Sequence, residues 1–308
     1  MTKVSFVCPI FNKNIYLSLV LDSIKNQTGE FEKEFIFIDD GSTDGSFEIL
    51  KKETSKWRNT TILHQENKGP AIATQKGIFR ATGDFVKLVG GDDIMSPNCT
   101  DLLLKLIIKT KTVAAFSRYK LLDNFLNIIH KNNKIKDYKV LKDPLIETIK
   151  SSFSGTTPNL YCNKALKISG GCEKNIFIED FSLVLGLSRL GNFSFIDNVT
   201  SYGPKNDKKR IMVGKKTQLI HDYNAALYYF FKKNHNINKE INRLACIKSL
   251  GRTEKWFRRE AGGSKINKMN YFKLNLYLGR SDYLNLIKES CLFFYKHSQT
   301  DDIRYKVY

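Results

Sequence analysis

The chain has 308 residues, 42% of them hydrophobic and 26% charged, and its 50 Lys and Arg against 31 Asp and Glu leave a formal charge of +19. That length can bury one good-sized α/β core and still carry an appendage, while no apolar run approaches the roughly 20 residues of a membrane span. Six cysteines, at positions 8, 99, 162, 172, 246 and 291, show no CxxC spacing, which argues against zinc or disulfides and for thiols in a reducing compartment.

The first 120 residues alternate strand and helix patterns. Val4–Cys8 reads as a strand, followed by a helix from about Asn14 to Asn26 with Leu17, Val20, Leu21 and Ile24 at helical spacing. Glu34–Asp39 is the second strand, and a helix begins near Asp44. Thr60–His64 is a third strand, leading through Asn67-Lys68-Gly69-Pro70 into a helix that ends near Arg80. Asp84–Val89 and Thr112–Tyr119 are the fourth and fifth strands, separated by a helix whose start is read at Ser96-Pro97, a hydroxyl cap with proline behind it. Strands alternating with helices predict a mainly parallel sheet covered on both faces.

Farther along, Asn124–His130 looks strand-like, Asp143-Pro144 starts a short helix, and Ser152–Thr157 is a polar loop. Leu160–Cys162 is a short strand, Gly170-Gly171 a turn, and helical spacing returns after Asp180 with Leu183, Val184, Leu187 and Leu190. Phe193–Val199 reads as the last strand and Tyr202–Lys216 as a mobile loop. Beyond Thr217 the pattern is helical: a stripe of Leu219, Tyr223, Ala226, Leu227, Phe230 and Phe231, a second helix from Lys239 to Ala261, and two more after Lys268 and Ser281. The expected division is residues 1–200 as the sheet domain and 201–308 as a basic helical region. The latter carries 23 Lys and Arg against 9 Asp and Glu, a balance that favours phosphate-bearing partners, although a solvated lysine-rich surface gives the same count.

Ligands of open α/β sheets bind beyond the carboxyl ends of the strands. Three polar clusters arrive there: Pro9-Ile10-Phe11-Asn12, Asp39-Asp40-Gly41-Ser42 and Gly90-Gly91-Asp92-Asp93. A carboxylate at Asp39 or Asp40 can accept the N3–H of a uracil-type base, or it can serve an Asx turn and helix cap, as Asp44 can. Asp92 and Asp93 offer hard oxygens suited to Mg²⁺ or Mn²⁺, which in turn would hold a diphosphate. Glu179-Asp180 opens a helix, where two acids suit the helix dipole; in the functional reading Asp180 is a general base for an attacking hydroxyl.

These residues resemble the family-2 glycosyltransferases of GT-A fold. The family opening Pro-x-Tyr-Asn is similar to Pro9-Ile10-Phe11-Asn12, with Tyr16-Leu17 behind it, and Asp-Asp-Gly-Ser-x-Asp stands in full at Asp39 to Asp44. Asn67, Gly69, Ala73, Gly77, Ala81, Gly83 and Asp84 follow the next family segment. Gly90-Gly91-Asp92-Asp93 takes the place of its Asp-x-Asp-Asp, and Glu179-Asp180 that of its base motif. The resemblance implies a Rossmann-like GT-A sheet flanked by helices with a helical C-terminal extension, and an inverting transfer from a nucleotide sugar to a saccharide or lipid-linked acceptor. It implies donor contacts at Pro9, Ile10, Phe11, Asn12, Asp39, Asp40, Lys68, Gly69, Ala73, Gly91 and Asp93, a Mn²⁺ or Mg²⁺ ligand at Asp92, and catalysis by Asp180 with Glu179. Gly90 replaces the first acid, leaving Asp92 as the expected metal ligand.

The expected setting is cytoplasmic, with the basic tail docking on anionic lipid through Lys255, Arg258, Arg259 and Lys265 among aromatics, or pairing with a second copy. Ser154-Gly155-Thr156-Thr157 is read as an acceptor-side loop and Lys208-Lys209-Arg210 as a diphosphate clamp or a solvated basic loop. Two rivals remain at this point. A nucleic-acid binder would explain the charge but not the acidic rim, since acids repel phosphates; a silent sugar-nucleotide binder would explain Gly90.

Overall fold

The structure, a computed structural model, describes residues 1–123, 134, 135, 137–151, 157–205, 214–260, 267–277, 279, 282–297, 303, 304, 306 and 307. The expected strand at 124–130, Ser154, Gly155 and Thr156, the basic run Lys208-Lys209-Arg210, and Lys265 lie outside the described residues. The chain forms two compact units. One comprises Met1–Pro144, Gly155–Cys172 and Gly186–Arg210; the other comprises Leu145–Ser154, Glu173–Leu185 and Ile211–Tyr308.

In the first unit, β1 (Lys3–Ile10), β2 (Glu32–Asp39), β3 (Thr60–His64) and β4 (Phe85–Leu88) pair in parallel in the order β3-β2-β1-β4. Val4 to Cys8 is buried along its whole length, as befits a central parallel strand covered on both faces. Helix α1 (Asn14–Lys25) follows β1, α2 (Ser46–Thr54) follows β2, and α3 (Pro70–Arg80) packs on β1 and β2. The chain leaves β1 toward β2 on one side and returns to β4 on the other, so a topological switch point lies between β1 and β4.

The rest of the sheet is mixed. It contains β5 (Ile94–Met95), β6 (Ala114–Leu122), β7 (Tyr138–Leu141), β8 (Asn159–Cys162) and β9 (Phe193–Pro204). Of the helices along this part of the sequence, α4 (Cys99–Thr110) and α6 (Asn163–Ser169) belong to the same unit, while α5 (Pro144–Ser151) and α7 (Glu179–Leu187) belong almost wholly to the second. β8 runs antiparallel to both β4 and β6, while β9 is parallel to β6 and antiparallel to β5 and β7. Its apolar core joins Phe6, Cys8 and Ile10 of β1 to Phe35 and Phe37 of β2 and to Leu103, Leu106 and Ile107 of α4.

Three expectations are corrected here. β9 does not stop at Val199: Tyr202, Gly203 and Pro204 pair with Lys120, Leu121 and Leu122, so the start of the expected loop is strand, and proline is tolerated at its last position. Lys216 opens a helix rather than closing that loop. The helix expected at Ser96-Pro97 begins at Cys99, because the Ser96 amide donates to Thr200 O at 2.8 Å and so extends the β5–β9 ladder. β5, β7 and α6 carry too few residues to show a period.

The second unit is helical. α8 (Lys216–Lys233), α9 (Lys239–Glu260) and α11 (Tyr283–His297) pack on one another, and α10 (Asn267–Tyr277) lies against α9. The expected stripe on α8 is buried at Ala226, Leu227, Phe230 and Phe231, facing Cys246, Leu250 and Trp256 of α9 and Ile287, Cys291 and Phe294 of α11. Asn224 sits in this core with its amide donating to Ser249 O, Thr253 Oγ1 and Ser290 Oγ at 3.0–3.2 Å, which satisfies a polar group that would otherwise oppose burial. Among the described residues, no helix is long and apolar enough to cross a membrane.

Candidate active site

The loops after β1 and β2 are stitched together. Asn12 adopts a left-handed backbone, φ 52°, which asparagine tolerates better than most residues. Its amide donates to Ser42 Oγ at 3.1 Å and its Oδ1 accepts from Thr43 N at 2.8 Å. Asp44 does not occupy the cap position, which belongs to Gly45. Its carboxylate nevertheless accepts the Ser46 amide at 3.0 Å, and its other oxygen accepts the Asn14 amide at 3.0 Å. Asn12 is therefore tied to the β2 loop just beyond Pro9 and Ile10, the last two residues of β1.

Asp39 and Asp40 are neighbours with different surroundings. Asp39 ends β2 in register with Ile10 and His64 and is fully buried. Its Oδ2 accepts the Ser42 amide at 3.2 Å and lies 2.8 Å from His64 Nδ1, while its Oδ1 is buried with no hydrogen-bond partner among the described residues. Asp40 is satisfied inside the protein: its Oδ1 accepts from Gln65 Nε2 and Lys68 N at 2.8 and 2.9 Å, and its Oδ2 accepts from Gly69 N at 2.8 Å. Asp40 thus secures the entry to α3, where Pro70 is at the first turn. Lys68 contributes its amide to that cap and exposes its side chain, and Ala73 is buried in α3.

After β4 the chain crosses Gly90 and Gly91 to Asp92 and Asp93, both largely buried. Asp93 is fixed on two sides, accepting from Tyr119 Oη at 2.7 Å and from Thr157 Oγ1 at 2.5 Å, while Thr157 Oγ1 also accepts the Gly90 amide at 2.9 Å. The Lys87 ammonium, fully buried behind them, donates to the carbonyls of Thr157 and Asn159, and burial lowers its pKa. Thr157, the last residue of the loop expected on the acceptor side, fixes Asp93 in place. Gly203 makes this possible: a Cβ there would stand 1.6 Å from Tyr119 Oη. Asp92 Oδ2 receives Lys13 Nζ at 2.6 Å.

No three His, Cys, Asp or Glu side chains gather as a metal cage among the described residues. Asp92 does supply a hard oxygen, and Mg²⁺-type ions are commonly held by one or two carboxylates with substrate phosphates completing the shell. The donor set fits a cation carried in that way.

Glu179 and Asp180 open α7 in the second unit. Burial of the carboxylate, reinforced by the charge of Asp180, pushes the Glu179 pKa up to about 8. Asp180 Oδ1 accepts the Phe181 amide at 2.8 Å. The helix is anchored by Phe181, whose ring meets Tyr223 edge-on at 4.9 Å with the Arg252 guanidinium over both, and by Asp222, which accepts the Phe177 amide at 2.5 Å. Asp222 also binds Gln218 and His221, whose Nε2 lies 2.7 Å from Tyr295 Oη.

The first unit thus gathers Pro9 to Asn12, Asp39, Asp40, Gly91, Asp92 and Asp93 at the carboxyl edge around the β1–β4 switch. Sequence reasoning missed Lys13, Lys87, Tyr119 and Gly203. A lysine inside an apolar strand, in Phe85-Val86-Lys87-Leu88, was the one visible signal for any of them.

Residues 5–168 match the family model described as Glycosyl transferase family 2. The chain is similar to glycosyltransferase GlyG of Streptococcus pneumoniae serotype 4 (strain ATCC BAA-334 / TIGR4), 40% identical over 101 residues that make up 32% of this chain and 33% of that protein. It spans about a third of the length of the first curated relatives it matches. Among solved structures it is similar to S. aureus TarS 1-349 in complex with UDP-GlcNAc, with TM-score 0.67, 18% identity, and 94% of this chain and 83% of that one covered. It is also similar to the mannosyltransferase PcManGT from Pyrobaculum calidifontis in complex with GDP-Man and Mn²⁺, with TM-score 0.56, 14% identity, and 96% and 85% covered. The fold is that of the GT-A glycosyltransferases.

Proposed function

Because the chain belongs to glycosyl transferase family 2, we propose that it moves a sugar from a UDP-sugar to a hydroxyl of a saccharide or lipid-linked acceptor, with inversion at the anomeric carbon. The observation that carries this reading is the buried Asp39 Oδ1, an acceptor with no partner among the described residues at the carboxyl end of β2, one strand from the switch point. A buried carboxylate oxygen in that state calls for a donor, and the N3–H of uracil is a donor of the right kind. Asp40, already accepting three hydrogen bonds, is the poorer candidate. The TarS complex with UDP-GlcNAc supports the choice of nucleotide.

In this reading Pro9 to Asn12 flank the base and Asp93, locked by Tyr119 and Thr157, places the donor. Asp92 would hold Mn²⁺ or Mg²⁺, which when bound offsets the charge growing on the leaving diphosphate. Asp180 accepts the proton of the acceptor hydroxyl as its oxygen bonds to the anomeric carbon and the bond to the diphosphate breaks, in one displacement. Burial and the charge of Asp180 raise the Glu179 pKa, so Glu179 holds its own proton to higher pH than an ordinary carboxyl. The basic second unit, with Lys255, Arg258 and Arg259 exposed, would keep the enzyme at an anionic membrane surface where lipid-linked acceptors reside.

Calorimetric titration with UDP and GDP in the presence of Mn²⁺ tests the nucleotide assignment. The protein is expected to bind UDP, and Asp39→Asn to bind it about tenfold more weakly, since a hydrogen bond to a charged group exceeds a neutral one by about 1–1.5 kcal/mol. Absence of UDP binding by the unaltered protein would end the reading.

A further inference from the structure

Lys13 is 6% exposed at its side chain, and its ammonium lies 2.6 Å from Asp92 Oδ2, itself on a carboxylate 13% exposed. A lysine at a loop normally extends its charge into water. This one is aimed inward by a fixed backbone: its amide donates to Ser46 Oγ at 2.8 Å and its carbonyl accepts the amides of Tyr16 and Leu17 at 2.9 Å. The aliphatic stem then crosses Gly91, where a Cβ would come within 3.1 Å of Lys13 Cγ. The pair is built into the first unit and is not a chance surface contact.

Its position has a consequence for cations. Asp92 Oδ2 cannot give the same lone pairs to an ammonium and to a divalent ion. Gly90 supplies no second carboxylate, and a Cβ there would stand 2.7 Å from Asp93 Oδ2. Asp93 is already engaged by Tyr119 and Thr157. To bind Asp92 Oδ2, a divalent ion arriving alone would have to displace Lys13 and would gain one carboxylate oxygen for it. A diphosphate alters the balance twice, because it brings oxygens to the metal and gives the ammonium a new anion to pair with.

We propose that Lys13 is a resident counter-cation that keeps free divalent ions off Asp92 and hands that carboxylate over only when a nucleoside diphosphate enters. The proposal rests on the diphosphate reading of the site. Metal and nucleotide then each raise the other's affinity. Direct metal–phosphate coordination would produce such coupling in any similar site, so the diagnostic comparison is made with no nucleotide present.

Mn²⁺ binding is measured by the loss of the free-ion paramagnetic resonance signal, for the unaltered protein and for Lys13→Met, each checked for folding by thermal melting. Lys13→Gln is carried in parallel in case the methionine variant does not fold. Without nucleotide, the unaltered protein should bind Mn²⁺ at least tenfold more weakly than the variant, and Asp92→Asn in the variant background should abolish the gain. With UDP, the unaltered protein should tighten by a larger factor than the variant. Equal nucleotide-free affinities, a gain that survives Asp92→Asn, or unaltered protein that binds Mn²⁺ as tightly alone as with UDP would overturn the proposal. Should UDP bind to none of the proteins, the proposed function fails, while the nucleotide-free comparison still decides whether Lys13 guards Asp92.

Discussion

Gly203→Ala probes how the site is held. The added Cβ would lie 1.6 Å from Tyr119 Oη, 2.7 Å from its Cζ and 2.9 Å from Asp93 Oδ1. A contact of that length cannot be relieved by a shift of a few tenths of an ångström, so the tyrosine must leave and Asp93 loses the 2.7 Å hydrogen bond. Overpacking a built core costs about 1–3 kcal/mol, and losing a hydrogen bond to a charged group costs about 1.5–3 kcal/mol. A destabilisation of roughly 3–5 kcal/mol follows, large for a one-carbon change. Tyr119→Phe alone should cost only the hydrogen bond, and on that background alanine at 203 should cost at least ~1 kcal/mol less, because the worst contact has gone. Urea unfolding of the two single variants and the double variant gives the coupling. The reasoning is refuted if Gly203→Ala stays within about 0.5 kcal/mol of the parent, the range of a neutral surface change, or if the two substitutions simply add.

The Glu179 pKa, raised from 4.5 to about 8, has a sign that can be checked. The unfolded chain releases this proton first, so across that interval the folded state binds more protons and stability falls as pH rises. Glu179→Gln should flatten the fall in thermal midpoint between pH 5 and 8; an unchanged slope would place the pH dependence elsewhere. Membrane docking by the second unit predicts sedimentation with vesicles rich in anionic lipid that weakens as salt is raised. Salt-independent sedimentation, or none, would count against it.

Legibility followed the physics of each element. β1, β2 and β4 could be read because buried parallel strands show short apolar runs, and the acids that follow β2 and β4 mark the carboxyl edge. In the mixed half the strands at Thr112–Tyr119, Leu160–Cys162 and Phe193–Val199 were legible but their pairing was not, since nothing in the period of Ala114–Leu122 or Phe193–Pro204 says which strand pairs with which, or in what direction. Tyr119 and Gly203 meet only because β6 and β9 are neighbours in the sheet. Asp39 and Asp40 are the same residue type side by side; what separates them is that one faces the amides of Lys68 and Gly69 and the other keeps a buried oxygen beyond the strand end. Lys13 looks like any loop lysine until Asp92, 79 residues later, is placed against it.

In the proposed reaction, transfer depends on Asp180 taking up the proton of the attacking hydroxyl. Release of UDP from a donor UDP-sugar, with water or a supplied saccharide as acceptor, is compared for the unaltered protein and Asp180→Asn alongside the UDP affinity of each. An amide cannot take up the proton, so UDP release should fall by at least ~10²-fold, the lower end for general-base catalysis, with UDP affinity unchanged. Release at the parental rate by the asparagine variant would contradict the account.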